Sequence, residues 1–586
     1  MTAGPGWPAC TIAEADDMLT AKGAPFAMHD VRVNGHMVRA YVEAPENMRH
    51  VLDESRRFGD DIFLVYEEER ISFEAHWRAA NRFAHVLIER YGIRPGDRVA
   101  LAMRNYPEWS ASAFAIMAIG AVCVPLNAWE PGETLAAMLA KVGARVVIAD
   151  GERRDRLRGR DHSAAVIVVR AAGEGATFEE LVGPAGTWAD LATEPAPFRP
   201  IAPDDTALIV FTSGTTGKAK AVPATHRAAL TNLVHTQYRA ARAALRRGEQ
   251  WPPPPTVEQP AVLLPVPLFH VTGLHSALVP ALARGHRLVL MYRWDIEKAL
   301  EIVARERVQT LILVPTLVVQ LIERIPEGGL PGLETVRLVT YGGAPATADL
   351  AAGVRSRFPG GAPAQGYGAT ETCSLVASNS HEDLLMRPGS VGTPVPCCEI
   401  RVVGEDGAAV GQGEAGELLI RGVQVFSGYW GEAEATAAVL DADGWYRTGD
   451  IVRVDEEGFL FVLDRKKDMI IRGGENIYCA EVEAAIAALP GVIECAVFGL
   501  PDRIMGEIVA ATIVAHEGVV PDTRSVRSAL KDKLPGFKLP ERVMAGTAPL
   551  PRTATGKVLK GELRRAMMAQ ASITAGQDRS FPADSH

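Results

Sequence analysis

The sequence predicts an α/β protein: a large amino-terminal domain of two stacked α/β subdomains with a small β subdomain, then a small α+β carboxy-terminal domain. Three observations carry this reading. Over residues 60–200 helical stretches alternate with short apolar runs, the pattern of parallel strands joined by helices, and the alternation repeats over 200–345. After about residue 390 the texture turns Gly-rich and antiparallel, and past 464–468 a self-sufficient α+β segment begins.

In chain order, 73–91 reads as a helix, 98–103 as an apolar strand, 110–122 as a helix and 145–149 as a strand. Further strands are expected at 207–211, 261–264, 287–291, 310–314 and 336–340. The β subdomain is read from 399–403, 416–421 and 458–463, with turns at 404–407 and 441–444. A helix at 480–489, strands at 494–499 and 509–515 and a helix at 524–534 make the last unit. The proline run at 250–255 is an extended surface loop, and the polar stretch 571–586 a disordered tail. The expected domains are therefore 1–464, a junction at 465–467, and 468–570.

A chain of 586 residues is too long for one ordinary core, and 47% hydrophobic residues give ample material to bury. Its formal charge of −10, with no basic run, excludes nucleic acid as the main partner. Seven cysteines, an odd number without CxxC spacing, fit a reducing cytoplasm. The amino terminus lacks a basic stretch followed by an apolar one, so no secretory signal is expected. Residues 110–127 carry no charge, but Gly120, Pro125 and Asn127 interrupt them. They read as a buried helix entering a core strand, not as an integral membrane span.

Four segments carry chemistry. Phe211-Thr212-Ser213-Gly214-Thr215-Thr216-Gly217-Lys218-Ala219-Lys220 follows an apolar strand, and its small residues let backbone amides and hydroxyls wrap an anion. It is not a Walker A sequence, which would place glycine at Thr212 and a hydroxyl residue at Ala219; a Gly/Thr surface turn is the alternative. Gln365-Gly366-Tyr367-Gly368-Ala369-Thr370-Glu371-Thr372 sets a carboxylate between two hydroxyls, which suits Mg²⁺ bridging ATP phosphates, against a solvated turn. Asp450, closing Tyr446-Arg447-Thr448-Gly449-Asp450, can accept from a ribose diol or be a turn aspartate. Lys557, in Pro551-Arg552-Thr553-Ala554-Thr555-Gly556-Lys557, is a mobile cation that is only solvated charge if taken alone.

Together these motifs strongly resemble the adenylate-forming superfamily of acyl-CoA synthetases, non-ribosomal peptide adenylation domains and firefly luciferases, over roughly residues 60–565. The resemblance implies an ATP site of Thr212, Ser213, Gly214, Thr215, Thr216, Gly217 and Lys218 around the departing diphosphate. Thr370 meets the α-phosphate, and Glu371 is the Mg²⁺ ligand. Gly343, Ala344, Pro345 and Tyr367 form the adenine pocket, and Asp450 and Arg465 hold the ribose. Lys557 bridges carboxylate and phosphate. His270, with Gly342, Gly343, Gly366 and Gly368, is implied for the acyl pocket, and a tryptophan that plugs the position of Gly368 in acetate-specific relatives implies a longer acid here. Arg472, Gly473 and Gly474 resemble the segment lining the pantetheine tunnel once the mobile small domain rotates, with Lys467 as hinge. Ala219 and Ala221 stand where Pro and Gly are usual, and Cys479 replaces a usual Pro.

The implied activity is AMP-forming ligation of a medium- or long-chain fatty acid or an aryl-substituted acid to CoA, with ATP, Mg²⁺ and CoA required. Cys373 is expected to pack and not to react. An adenylation enzyme loading a carrier protein is a second reading. A non-catalytic acyl- or nucleotide-binding regulator is a third, which should have lost Lys557, Glu371 or Asp450. The partners are a small carboxylic acid and CoA, and the sequence is compatible with a homo-oligomer.

Overall fold

The computed structural model describes residues 7–172, 175–197, 199–212, 219–254, 258–344, 346–553 and 557–577. It comprises two compact units, one of 1–400, 419–447 and 457–460, the other of 401–418, 448–456 and 461–586.

In the first unit a seven-stranded sheet runs in the order Lys220–Thr225, Thr206–Thr212, Val122–Pro125, Arg98–Ala102, Val146–Asp150, Ala165–Val169, Ala176–Thr177. Only its first pair is antiparallel. A nine-stranded sheet runs Thr393–Pro394, Ser374–Ser380, Ala362–Ala369, Leu338–Gly342, Thr310–Leu313, Ala261–Leu264, Arg287–Leu290, Ile62–Tyr66, Glu69–Ser72, parallel except at its two edges.

Side-chain alternation shows how the sheets are layered. Val99 and Leu101 of the first sheet and Leu64, Leu288 and Ile312 of the second share one core, while Ala100 and Ala102 face a second core and Val65, Leu311 and Leu313 a third. Both faces of each sheet are therefore buried, which is why these strands read as continuous apolar runs. The shared core contains the helices Phe73–Glu89 and Pro107–Ala118. Ser72 caps the first by accepting from Ala75 N at 3.1 Å. Every residue of Pro107–Ala118 is buried, so the uncharged sequence is that of a helix between sheets.

The division between the sheets does not fall at residue 200. Ile62–Tyr66 joins the second sheet because Leu64 and Val65 can each fill a core there, and Thr206–Thr225 closes the first. The expected 336–340 strand lies two residues later, at Leu338–Gly342. The first 60 residues, unread from sequence, supply a helix at Ile12–Thr20 with a Thr11/Glu14 capping box. They also supply the hairpin Met28–Val33/His36–Tyr41, which turns on Asn34-Gly35, both at positive φ. Phe26 and Tyr41 of this region pack with Tyr238 on the helix His226–Arg246.

The expected β subdomain is a four-stranded sheet of Cys398–Val403, Gly416–Gly422, Tyr446–Val454 and Leu460–Arg465, and the division between the units falls within it. The second unit continues as a sheet ordered Glu475–Ile477, Ile470–Arg472, Gly506–Ala515, Val492–Asp502, with Arg542–Gly546 parallel to Gly506–Ala515. The helices Cys479–Ala487 and Thr523–Leu530 bury Val482, Ile486, Val526 and Leu530 against Val509, Ala511 and Ile513. The helix Lys560–Gln577 enters the stretch expected to be a tail, and the rest of that stretch lies outside the described residues. No described helix is long and apolar enough to cross a membrane. All seven cysteines are free.

The first unit buries several histidines in their neutral form. Burial holds His76, His235 and His381 down to about 3, and His226, His275 and His286 to about 4, from an ordinary value of 6.5. Between pH 6.5 and about 4 the unfolded chain binds protons at these rings that the folded chain refuses, so stability must fall as pH falls, by up to about 1.4 kcal/mol per pH unit for each ring. Urea unfolding should therefore show a lower midpoint at about pH 5.5 than at about pH 7.5; an equal or higher midpoint at the acid end would contradict this accounting.

Candidate active site

The strand Ala362–Ala369, flanked by Leu338–Gly342 and Ser374–Ser380, carries Tyr367 near its carboxy-terminal end, and the chain then reverses through one 3₁₀ turn, Thr370–Thr372, into Ser374–Ser380. Thr372, fully buried, holds the turn: its Oγ1 accepts from Ala369 N at 3.0 Å and lies 3.1 Å from Ala369 O. Cys373 and Ser374 complete the reversal at φ +49° and +102°, conformations that non-glycine residues rarely adopt. The outward residues of this turn are Thr370 and Glu371, both half-exposed.

Glu371 is fixed from two sides. Its carbonyl accepts from Phe426 N at 2.9 Å, and its carboxylate Oε1 accepts from the Tyr429 hydroxyl at 3.0 Å. Burial, then the Glu371 charge, pushes the Tyr429 phenol upward, so it remains a donor. The Lys220 ammonium sits 4.4 Å from the Tyr429 ring centre, a cation–π contact. Lys220 pairs with Thr212 across the antiparallel strands that residues 213–218 connect. Thus one tyrosine joins the exit of the anticipated phosphate loop to the anticipated metal carboxylate. Ser213, Gly214, Thr215, Thr216, Gly217 and Lys218 themselves, and Pro345, lie outside the described residues.

Gly342, Gly343 and Ala344 end the neighbouring strand, and Gly343, at φ +79°, would aim a Cβ to 4.0 Å from His270 Cε1 and 3.7 Å from Thr272 Oγ1. His270 Nδ1 accepts from Thr272 N at 3.3 Å, which leaves the ring proton on Nε2. His270 and Gly343 are therefore neighbours, as the acyl-pocket expectation requires. Three of its glycines need another explanation. A Cβ at Gly368 would stand 1.4 Å from Ser374 O, one at Gly342 2.7 Å from Gly366 O, and one at Gly366 3.1 Å from Leu375 Cδ1. The missing side chain at Gly368 makes room for the returning strand, not for an acid, so a tryptophan there would break the turn instead of plugging a pocket.

In the second unit Asp450, buried, accepts from Arg465 Nε at 2.7 Å, while Thr448 Oγ1 accepts from Asp450 N at 3.0 Å. The two anticipated ribose residues are thus one ion pair. Lys467 is exposed in the turn closed by Asp468 N on Arg465 O at 2.9 Å. Arg472 is engaged by Glu541 at 2.5 Å and by Phe537 O, which argues against a free cation for CoA. Gly473 and Gly474 form a positive-φ turn, and a Cβ at Gly474 would meet nothing within 4 Å. Lys557 N donates to Thr553 Oγ1 at 3.1 Å, and Thr553 N to Lys557 O at 2.8 Å; the intervening residues are outside the described set. Cys373 is buried with its thiol pushed up to about 12, as a packing residue should be.

Sequence reasoning missed Tyr429 and gave Lys220, the last residue of the phosphate-loop segment, no role of its own. The available signal was the Gly428-Tyr429-Trp430 run between two recognised motifs.

Residues 52–430 match the family model of the AMP-binding enzyme, and residues 481–557 match that of the AMP-binding enzyme C-terminal domain. The chain belongs to this family. It is 38% identical over 474 residues to a feruloyl-CoA synthase of an Amycolatopsis species, covering 81% of this chain and 89% of the relative. To the long-chain-fatty-acid–CoA ligase FadD13 of Mycobacterium tuberculosis it is 35% identical over 490 residues, 83% and 91% covered. Among solved structures it resembles the o-succinylbenzoate CoA synthetase of Bacillus subtilis bound to its acyl-adenylate, with a TM-score of 0.75 and 29% identity over 89% of this chain and 99% of that one. The same synthetase with ATP and a magnesium ion aligns at a TM-score of 0.73.

In this AMP-binding enzyme, Tyr429→Phe removes the hydroxyl that orients Glu371 while the ring under Lys220 remains. A hydrogen bond to a charged group is worth about 1.5–3 kcal/mol, so a loss of about tenfold or more in kcat/KM is expected, with a raised Mg²⁺ requirement in calorimetric nucleotide binding. Parental activity and Mg²⁺ dependence in the variant would show that Tyr429 does not position the carboxylate.

Proposed function

We propose that this protein is an AMP-forming acyl-CoA ligase acting on an acid bulkier than acetate, aryl-substituted acids first and medium- or long-chain fatty acids second. The observation that carries it is the Glu371 carboxylate, fixed by Tyr429 beside Lys220 at the mouth of the strands flanking the Gly/Thr-rich loop. Glu371 would hold Mg²⁺. Among the described residues no three His, Cys, Asp or Glu side chains cluster as a resident metal site, and one carboxylate suits an ion whose other ligands are phosphate oxygens and water. When bound, that ion neutralises phosphate charge.

The acid carboxylate attacks the α-phosphorus of ATP. The new P–O bond forms as the bond to the β-phosphate breaks, and diphosphate leaves. Lys557 bridges the attacking carboxylate and the α-phosphate, Thr370 donates to the latter, and Asp450, oriented by Arg465, accepts from the ribose. These groups stabilise charge that grows on the phosphoryl oxygens and hold attacker and leaving group in line. The CoA sulfur then attacks the acyl carbon, the acyl–phosphate C–O bond breaks, the thiol proton passes to solvent and AMP leaves. The Gly473–Gly474 turn receives the thiol arm, with reorientation about 465–467 as the route between steps. Aryl acids are favoured because the His270 ring stands beside Gly343, where the backbone carries no side chain, and because a feruloyl-CoA synthase is among the relatives. The free thiols support a cytoplasmic setting.

Diphosphate release measured with ferulate, indoleacetate, hexanoate and palmitate, with and without CoA, should be greatest for an aryl acid and should yield AMP and the thioester. In the same assay Lys557→Ala should lose at least about a hundredfold in adenylation, the cost of one charge-stabilising group, while thioester formation from supplied acyl-adenylate persists. An equal loss in both steps would overturn the role of Lys557, and no CoA thioester with any acid would overturn the ligase reading.

A further inference from the structure

A cluster that ligation leaves unused lies on the helix His226–Arg246. Arg239, Arg242 and Arg246 stand at i, i+3 and i+7, on one face of the helix, and with Ser378 and Asn379 line a recess with room for about one water-sized body. Arg246 is satisfied, with bonds of 2.6 and 2.7 Å to the Asp383 carboxylate. The others are not. Arg242, 5% exposed, reaches Ser378 O with Nη2 at 3.4 Å, but its Nη1 is 3.6 Å from Asp16 Oδ1 and has no hydrogen-bond partner. Ser378 Oγ, on a residue 3% exposed, is likewise buried without a partner, and so is Asn379 Oδ1.

Arg239 has no hydrogen bond or ion pair among the described residues. Instead its charge bears on two further basic groups, Arg284 and His381. Arg284 is held only by neutral oxygens, Leu233 O at 2.8 Å and Thr236 Oγ1 at 2.7 Å, and its Nε is buried and unpartnered. Burial pulls Arg239 down to about 10, and burial with the Arg239 charge pulls Arg284 to about 9. The recess leaves the Arg242 Nη1 donor and the Ser378 hydroxyl open beside two half-buried cations that have no carboxylate partner among the described residues, with the Asp383 carboxylate on its wall already engaged by Arg246, and this favours an anion as occupant. A water could satisfy Arg242, Ser378 and Asn379 but would bring no negative charge to the two half-buried cations.

We propose that this recess is a binding site for a monovalent anion of halide size, chloride being the physiological candidate, held by Arg239, Arg242 Nη1 and Ser378 Oγ. Size selects a halide over a phosphate, because a water-sized space does not admit four oxygens around phosphorus. The anion braces Ser374–Ser380, the strand whose register sets Ala377 against Tyr367. Its place is structural, on the strand behind the nucleotide motif.

The test is thermal unfolding of the full chain in sodium chloride against sodium gluconate at equal ionic strength, together with anomalous diffraction from bromide-soaked crystals. The melting temperature should rise saturably with chloride and not with gluconate, as for any ligand that binds only the folded state. Bromide should give an anomalous peak between Arg239, Arg242 and Ser378. Arg239→Gln should weaken the chloride response at least about tenfold, the scale of one lost charge-assisted contact, without lowering stability in gluconate. Ser378→Ala should weaken it less, and serves where Arg239→Gln does not fold. Equal melting in the two salts, a water in the recess of bromide crystals, or an undiminished chloride response in both variants would overturn the site.

Discussion

The candidate site depends on one close crossing of the backbone. Gly368 and Ser374 approach so nearly that a Cβ on the first would lie 1.4 Å from the carbonyl oxygen of the second, and the chain can reverse there only with glycine at 368 and two residues at positive φ. Strain of this kind survives only where the surroundings overdetermine it. Thr372 supplies part of that determination by its hydrogen bond from Ala369 N, and Asn232 supplies more. Its buried side chain accepts from Leu375 N at 3.0 Å and donates to His275 O at 2.8 Å, tying the returning strand to the segment that follows His270. The result is a half-exposed Thr-Glu pair on a rigid turn, which is what a group that must meet a phosphate in one geometry requires.

Tyr429 converts that rigidity into electrostatics. Its hydroxyl directs the Glu371 carboxylate and its ring underlies the Lys220 ammonium, so a negative and a positive group are held a short distance apart without neutralising one another. A nucleotide triphosphate carrying Mg²⁺ offers both signs in the same order. In the second unit Asp450 and Arg465 form an ion pair that fixes one buried carboxylate. Each unit therefore preorganises its own charges, the condition under which electrostatic stabilisation of a transition state costs least at the moment of reaction.

Much of this was legible in the residues. Continuous apolar runs such as 310–314 could only be strands buried on both faces, and the motifs at Thr212, Tyr367, Asp450 and Lys557 named the chemistry before any geometry. What sequence could not show was which sheet a strand joins. Ile62–Tyr66 crosses to the second sheet because both of its faces find cores there, a tertiary matter invisible in local pattern. The hairpin at Asn34-Gly35 was readable and went unread. Gly368 was misread in kind: a glycine beside a pocket motif suggested empty space, whereas the space is filled by backbone. Tyr429 was hidden because a single aromatic after glycine has no chemistry until Glu371 is beside it. The Arg472–Glu541 pair was hidden because its two residues stand 69 apart in the sequence.

The central claim is that a carboxylate oxygen of the acid attacks the α-phosphorus. The direct measurement supplies an aryl acid labelled with ¹⁸O in both carboxylate oxygens, together with ATP and CoA, and reads the products by mass spectrometry. Attack at the α-phosphorus predicts one ¹⁸O in AMP, one in the thioester carbonyl and none in diphosphate. ADP in place of AMP alongside a CoA thioester, with ¹⁸O in inorganic phosphate, would mean an acyl-phosphate route and contradict the account.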